Sequence, residues 1–159
     1  MDDSDIKLDK FIKKVLKSNI YKKQVFDNTI GDEIDKTDVQ YLGNIITDKK
    51  QILKFVNTQN ISGNRKLSPH GNSCLYVYNE KDEMLGYYYL GGFDGVPSKV
   101  KGTNLIFINK QSSCNQTTLI DFKSGIVKKF FVKCTKDKRG DGFMGDIWTF
   151  TKTKSSSAF

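Results

Sequence analysis

A chain of 159 residues with 37% hydrophobic and 28% charged side chains is long enough for one domain to bury its own core. It carries no apolar run near the roughly 18 residues that a membrane helix requires. The net charge of +8 sits entirely in the last third: residues 1–98 balance 14 basic against 14 acidic side chains, whereas residues 99–159 set 12 basic ones against only Asp121, Asp137, Asp141 and Asp146. Such a basic segment calls for nucleic acid, an anionic membrane surface or an acidic protein as partner, or else is a solvated Lys-rich surface. Sequence-specific nucleic-acid readout is disfavoured, because it leans on the bidentate fork of Arg and the chain has only Arg65 and Arg139.

In chain order, Leu8, Phe11, Ile12, Val15 and Leu16 recur at helical spacing within residues 5–18, with Lys7, Lys10, Lys13, Lys14 and Lys17 mostly opposite. This pattern predicts an amphipathic helix, with Ser4 as its cap, that covers a sheet or lies on an anionic membrane. Residues 19–39 hold Asp27, Asp32, Glu33, Asp35 and Asp38 with few apolar anchors and read as an acidic connecting loop. From residue 40 to 153 the pattern is β. Strands are expected at Gln40–Thr47, Ile52–Thr58, Cys74–Tyr78, Met84–Leu90, Leu105–Asn109, Thr117–Phe122, Ile126–Cys134 and Asp146–Thr151, parted by Gly, Asn, Asp, Ser or Lys. Residues 154–159 read as a frayed tail. Strands without intervening helical patterns imply antiparallel meanders, so the fold expected is mainly β (α+β): a single domain forming a sandwich or barrel-like meander with the N-terminal helix packed on it.

The turn Lys123-Ser124-Gly125 has the composition of a three-residue hairpin loop, with Gly at the left-handed position. Folding there pairs Phe122 with Ile126 and, four steps outward, Cys114 with Cys134, which would bring the two thiols within disulfide range. A disulfide implies an oxidising compartment. Met1-Asp2-Asp3-Ser4-Asp5 is not a signal peptide and argues for the cytoplasm, so export, periplasmic or extracellular, requires that a leader has been removed. The alternative is three ordinary thiols, Cys74, Cys114 and Cys134, in a reducing cytoplasm.

No residue set identifies a catalytic centre, a metal site or a cofactor. His70, the only histidine, lies in a turn-rich segment, where Ser68 or Cys74 would have to reach it for nucleophilic chemistry. The three Cys lack metal-ligand spacing. Asp137–Gly142 carries Arg139 where a calcium loop needs an oxygen ligand. Gly91-Gly92-Phe93-Asp94-Gly95 is Gly-rich but leads into Val96-Pro97 and not into a phosphate-binding helix N-terminus.

The hairpin turning at residues 79–83 is the most aromatic part of the chain. Simple alternation puts Tyr76, Tyr78, Met84 and Tyr88 on one face, and Leu75, Val77, Leu85, Tyr87 and Tyr89 on the other. Either both faces are covered or Tyr is presented to a partner. The leading expectation is a non-enzymatic exported binding domain, such as an inhibitor or immunity-type protein, whose acidic partner meets Tyr76, Tyr78 and Tyr88 together with Lys129, Lys133, Lys136, Lys138 and Arg139. The alternatives are a β-barrel carrier of a small apolar or lipid ligand and a hydrolase with dispersed catalytic residues.

Overall fold

The computed structural model describes residues 3–92, 95–111, 114–133 and 141–148. A helix, α1 (Asp3–Val15), is followed by β1 (Lys23–Asp27), β2 (Glu33–Ile46), β3 (Ile52–Asn64), β4 (His70–Tyr78), β5 (Met84–Tyr89), β6 (Lys99–Lys101), β7 (Asn104–Gln111), β8 (Cys114–Asp121), β9 (Lys129–Lys133) and β10 (Asp141–Trp148). The strands form two antiparallel sheets, one ordered β1-β2-β3-β4-β5-β10-β9 and the other β6-β7-β8. The fold is mainly β with one N-terminal helix, as expected, and the sheets do not close into a barrel.

Alternation along the central strands gives the large sheet two apolar faces. Leu53 and Phe55 of β3, Leu75 and Val77 of β4 and Tyr88 of β5 meet Leu105 and Phe107 of the small sheet, with Phe122, Phe130 and Val132, in the main core. Phe122 stands edge-on to Phe55 at 4.9 Å, and Tyr88 lies 4.8 Å from Phe130. Burying these rings takes about 150–250 Å² each out of water and dominates the energetics of the interior. On the opposite face Val39, Tyr41, Val56 and Tyr78 receive Ile12, Val15 and Leu16 from the helical stripe. The helix therefore covers the sheet. Tyr78 Oη also donates to Asp9 Oδ1 at 2.7 Å, and Asp9 pairs with Lys13 one turn on at 3.2 Å.

Two irregularities set which side chain faces which core. Between Tyr41 and Gly43 the β2–β3 register shifts, leaving Leu42 as the extra residue of a bulge, and Gly43 has φ +109°. Leu42 and Ile45 thus both reach the main core. A second shift lies in the β4–β5 pair, where Val77 opposes Gly86 but Tyr78 opposes Met84, so Leu85 is the extra residue. It reverses the alternation expected for β5: Tyr87 opposes Tyr76 on the helix side, while Tyr88 opposes Leu75 and points into the main core.

Other expectations are corrected. The acidic connecting loop at 19–39 is largely strand: β1 and the first half of β2 lie there, and β2 pairs with β3 as far as Glu33↔Asn64. Its polar residues are held by the ladder and by Asn60, whose Nδ2 donates to Asp35 Oδ1 and Thr37 Oγ1, both at 2.8 Å. Hydrogen bonding replaces the apolar pattern that sequence reading relies on. Among the described residues, the hairpin ladder expected between 117–122 and 126–134 does not form. The turn is present, with Gly125 N bonded to Phe122 O at 3.1 Å and Gly125 φ at +120°, but β8 pairs with β7 and β9 pairs with β10. Cys114 opposes Gln111 in the β7–β8 ladder. Cys134 itself lies outside the described residues, as do Lys136, Lys138, Arg139 and the tail.

Candidate functional site

The described residues of the basic third form the small sheet, β9 and β10. In β6-β7-β8 the residues paired as Val100↔Leu105↔Ile120 and Phe107↔Thr118 face inward, so Lys99, Ile106 and Leu119 stand in one row on the outer face, beside Ile108↔Thr117 and Lys110↔Asn115. Ile106 is covered by its neighbours, Ile108 is 40% exposed and Leu119 57% exposed. The result is a short apolar strip edged by Lys99, Lys101 and Lys110, all exposed. On β9 the buried Phe130 and Val132 alternate with exposed Lys129 and with Phe131, 56% exposed. Between Gly95 and Lys133 the only acidic residue is Asp121.

The described residues expected to meet a partner fall in different environments. Lys129 is exposed on β9, and Lys133 closes that strand. Tyr78 and Tyr88 are fully buried, one under the helix and one in the main core, and neither can meet a partner. Tyr88 Oη donates to the Val127 carbonyl, which pins the segment leading into β9. Tyr76 is half-buried on the helix side, 5.5 Å from the ring of Tyr87. Burial pushes the phenols of Tyr76, Tyr78 and Tyr88 well above their usual value; for Tyr78 the adjacent Asp9 carboxylate adds to it. These rings hold the fold. Leu119 and Phe131 already stand out in the sequence as apolar residues alongside Asp121, Lys129 and Lys133, whereas exposed Ile108 does not. Its signal is a β-branched residue two positions before Lys110 on a strand whose other face is apolar.

Enzymatic arrangements find little support in the geometry. His70 and Cys74 lie on one strand four residues apart, which is about 13 Å at the usual rise, far beyond hydrogen-bond reach. Cys74 is partly buried, and burial alone lifts its thiol to about 11, the opposite of nucleophile activation. Ser73, the nearest hydroxyl in sequence to Cys74, donates to Gly92 O at 2.8 Å and ties down the loop after β5. Among the described residues no three His, Cys, Asp or Glu converge on a point. One cleft of about 230 Å³ opens between the β1–β3 face and the segment before β6; Lys23, Asp38, Gln40, Asn57 and Gln59 line it with Val96, Pro97 and Ser98. Its polar walls do not suit an apolar or lipid ligand. Asn57 Nδ2 donates to Pro97 O at 2.8 Å and so fixes the cleft wall, and Asn57 Oδ1 is buried without a partner among the described residues.

No protein-family model, no curated protein and no solved structure matches the chain. Among the described residues no helix is long and apolar enough to cross a membrane.

Proposed function

We propose that this chain is a non-enzymatic binding domain, of the inhibitor or immunity kind, that engages an acidic macromolecular partner through the outer face of β6-β7-β8 and the adjoining β9. The observation that carries this reading is the pair of exposed apolar residues Ile108 and Leu119 set among Lys99, Lys101 and Lys110 on one face of the small sheet. Apolar anchors contribute most of the affinity of such interfaces, whereas surrounding charge speeds encounter and selects the partner. Affinity capture from cells of the source organism tests it, using the chain and its Lys99→Glu/Lys101→Glu variant. An acidic protein retained by the first and lost from the second is the expected result, with association that slows as salt rises. Equal retention by both would contradict the proposal.

Export belongs to the same proposal and depends on Cys114 and Cys134. Thiol counting in the denatured, non-reduced protein decides it. Cys74 titrating alone supports an oxidising compartment, and three titrating thiols would remove the argument for one.

A further inference from the structure

The two sheets present four edge strands, β1 and β9 in the large sheet and β6 and β8 in the small one. Exposed sheet edges are templates for pairing, and proteins blunt them with charge, Pro, brevity or bulges. Three of these edges are blunted in this way. β1 is bounded by Lys23 and Asp27, β6 is 3 residues long with Lys at both ends, and β9 begins and ends on Lys. The fourth is different. β8 has 8 residues, CNQTTLID, with neither Pro nor charge before Asp121 at its end, and its ladder with β7 runs without a register shift.

Which backbone groups face the free side follows from the pairing. Phe122 N donates to Thr103 O at 2.8 Å, so that pair is hydrogen-bonded, and antiparallel ladders alternate bonded and non-bonded pairs. With β8 in register Asp121↔Asn104, Gln116, Thr118 and Ile120 turn their N–H and C=O toward β7. Asn115, Thr117, Leu119 and Asp121 turn theirs away from it. Among the described residues no backbone group bonds to them from that side. Among the described residues this row, about 20 Å from Asn115 to Asp121, has no backbone partner, and exposed Leu119 stands in it.

We propose that the partner docks on this edge as an extended acidic segment, adding a fourth strand antiparallel or parallel to β8. The inference rests on the reading of the small sheet as the partner surface and names how it is used. Charge complementarity selects the occupant: an added strand lies about 10 Å from β7 and its Lys110, within the roughly 10 Å screening length at moderate salt. Lys123, Lys128 and Lys129 are all exposed where the chain leaves β8 and enters β9. In strand addition the backbone supplies affinity and alternate side chains supply specificity. The segment expected therefore alternates apolar and acidic residues.

The test uses the full chain and a short synthetic peptide alternating valine and glutamate, compared with the same peptide N-methylated at alternate amides. Binding of the parent peptide, weakened roughly tenfold or more by N-methylation through loss of several backbone hydrogen bonds, together with slowed exchange of the Thr117 and Leu119 amides, is the result expected. Equal binding of both peptides would overturn strand addition and leave the basic-face reading standing. Binding that survives Lys99→Glu/Lys101→Glu and is indifferent to salt would keep strand addition and remove the charge argument of the wider reading. Absence of binding, or a concentration-dependent dimer of the chain that protects the same amides without peptide, would overturn the proposal, the latter assigning the edge to a second copy.

Discussion

Tyr78 shows how one residue joins two parts of the molecule. Its ring lies in the core under the helix and its hydroxyl bonds Asp9 of α1. Tyr78→Phe keeps the ring and removes the bond to a carboxylate, which should cost about 1.5–3 kcal/mol, read as a lower denaturation midpoint. The phenols also set the alkaline limit. Folded Tyr76, Tyr78 and Tyr88 release their protons only above the ordinary value of 10.0. Below pH 10 both states hold these protons and stability is complete. As pH rises past it the unfolded chain loses them first and stability falls. Ultraviolet titration should show these three tyrosines ionising together with loss of the near-ultraviolet circular dichroism. Ionisation at pH 10 with the fold intact would contradict their burial. Cys74, raised to about 11, should react with iodoacetamide at pH 8 far more slowly in the native than in the denatured chain.

Among the elements, the helix was the most legible. The 3.6-residue stripe marked Ile12, Val15 and Leu16, and they are the residues buried. Ile12→Ala should cost about 2–5 kcal/mol, as other core truncations do, measured by chemical denaturation. Seven of the expected strands have strand cores, and the eighth, Asp146–Thr151, is strand as far as Trp148, beyond which it lies outside the described residues. Their ends and partners were harder to read, because the first third of β2 and the last of β3 are held by ladder and amide hydrogen bonds that leave no apolar period. A single bulge residue, Leu85, was enough to exchange the faces of Tyr87 and Tyr88. At Lys123-Ser124-Gly125 local turn chemistry was correct and the pairing was not. After the turn Ile126 and Val127 pack on the main core, and Asp48 N bonds Lys123 O at 2.8 Å, tying the turn to the β2–β3 connection. Phe130 and Val132 then enter the core from the large sheet. Burial of two apolar side chains outweighs the local preference for a hairpin.

For the molecule as a whole, β8 and β9 part into different sheets, and among the described residues this leaves β8 as an unblunted edge near Lys110, Lys123, Lys128 and Lys129. The charge asymmetry was plain in the sequence. Its placement was not, since it depends on which strands share a sheet and on which face of the small sheet is covered. Leu119→Ala should leave the midpoint of unfolding within about 0.5 kcal/mol of the parent, as exposed substitutions do, while speeding dissociation of any partner held by that face. The most direct measurement is residue-resolved amide hydrogen exchange of the unliganded protein along β8. The account predicts protection of Gln116, Thr118 and Ile120, bonded to β7, and rapid exchange of Thr117 and Leu119. Uniform protection of all five amides, as a hairpin ladder of β8 with β9 would give, would contradict it.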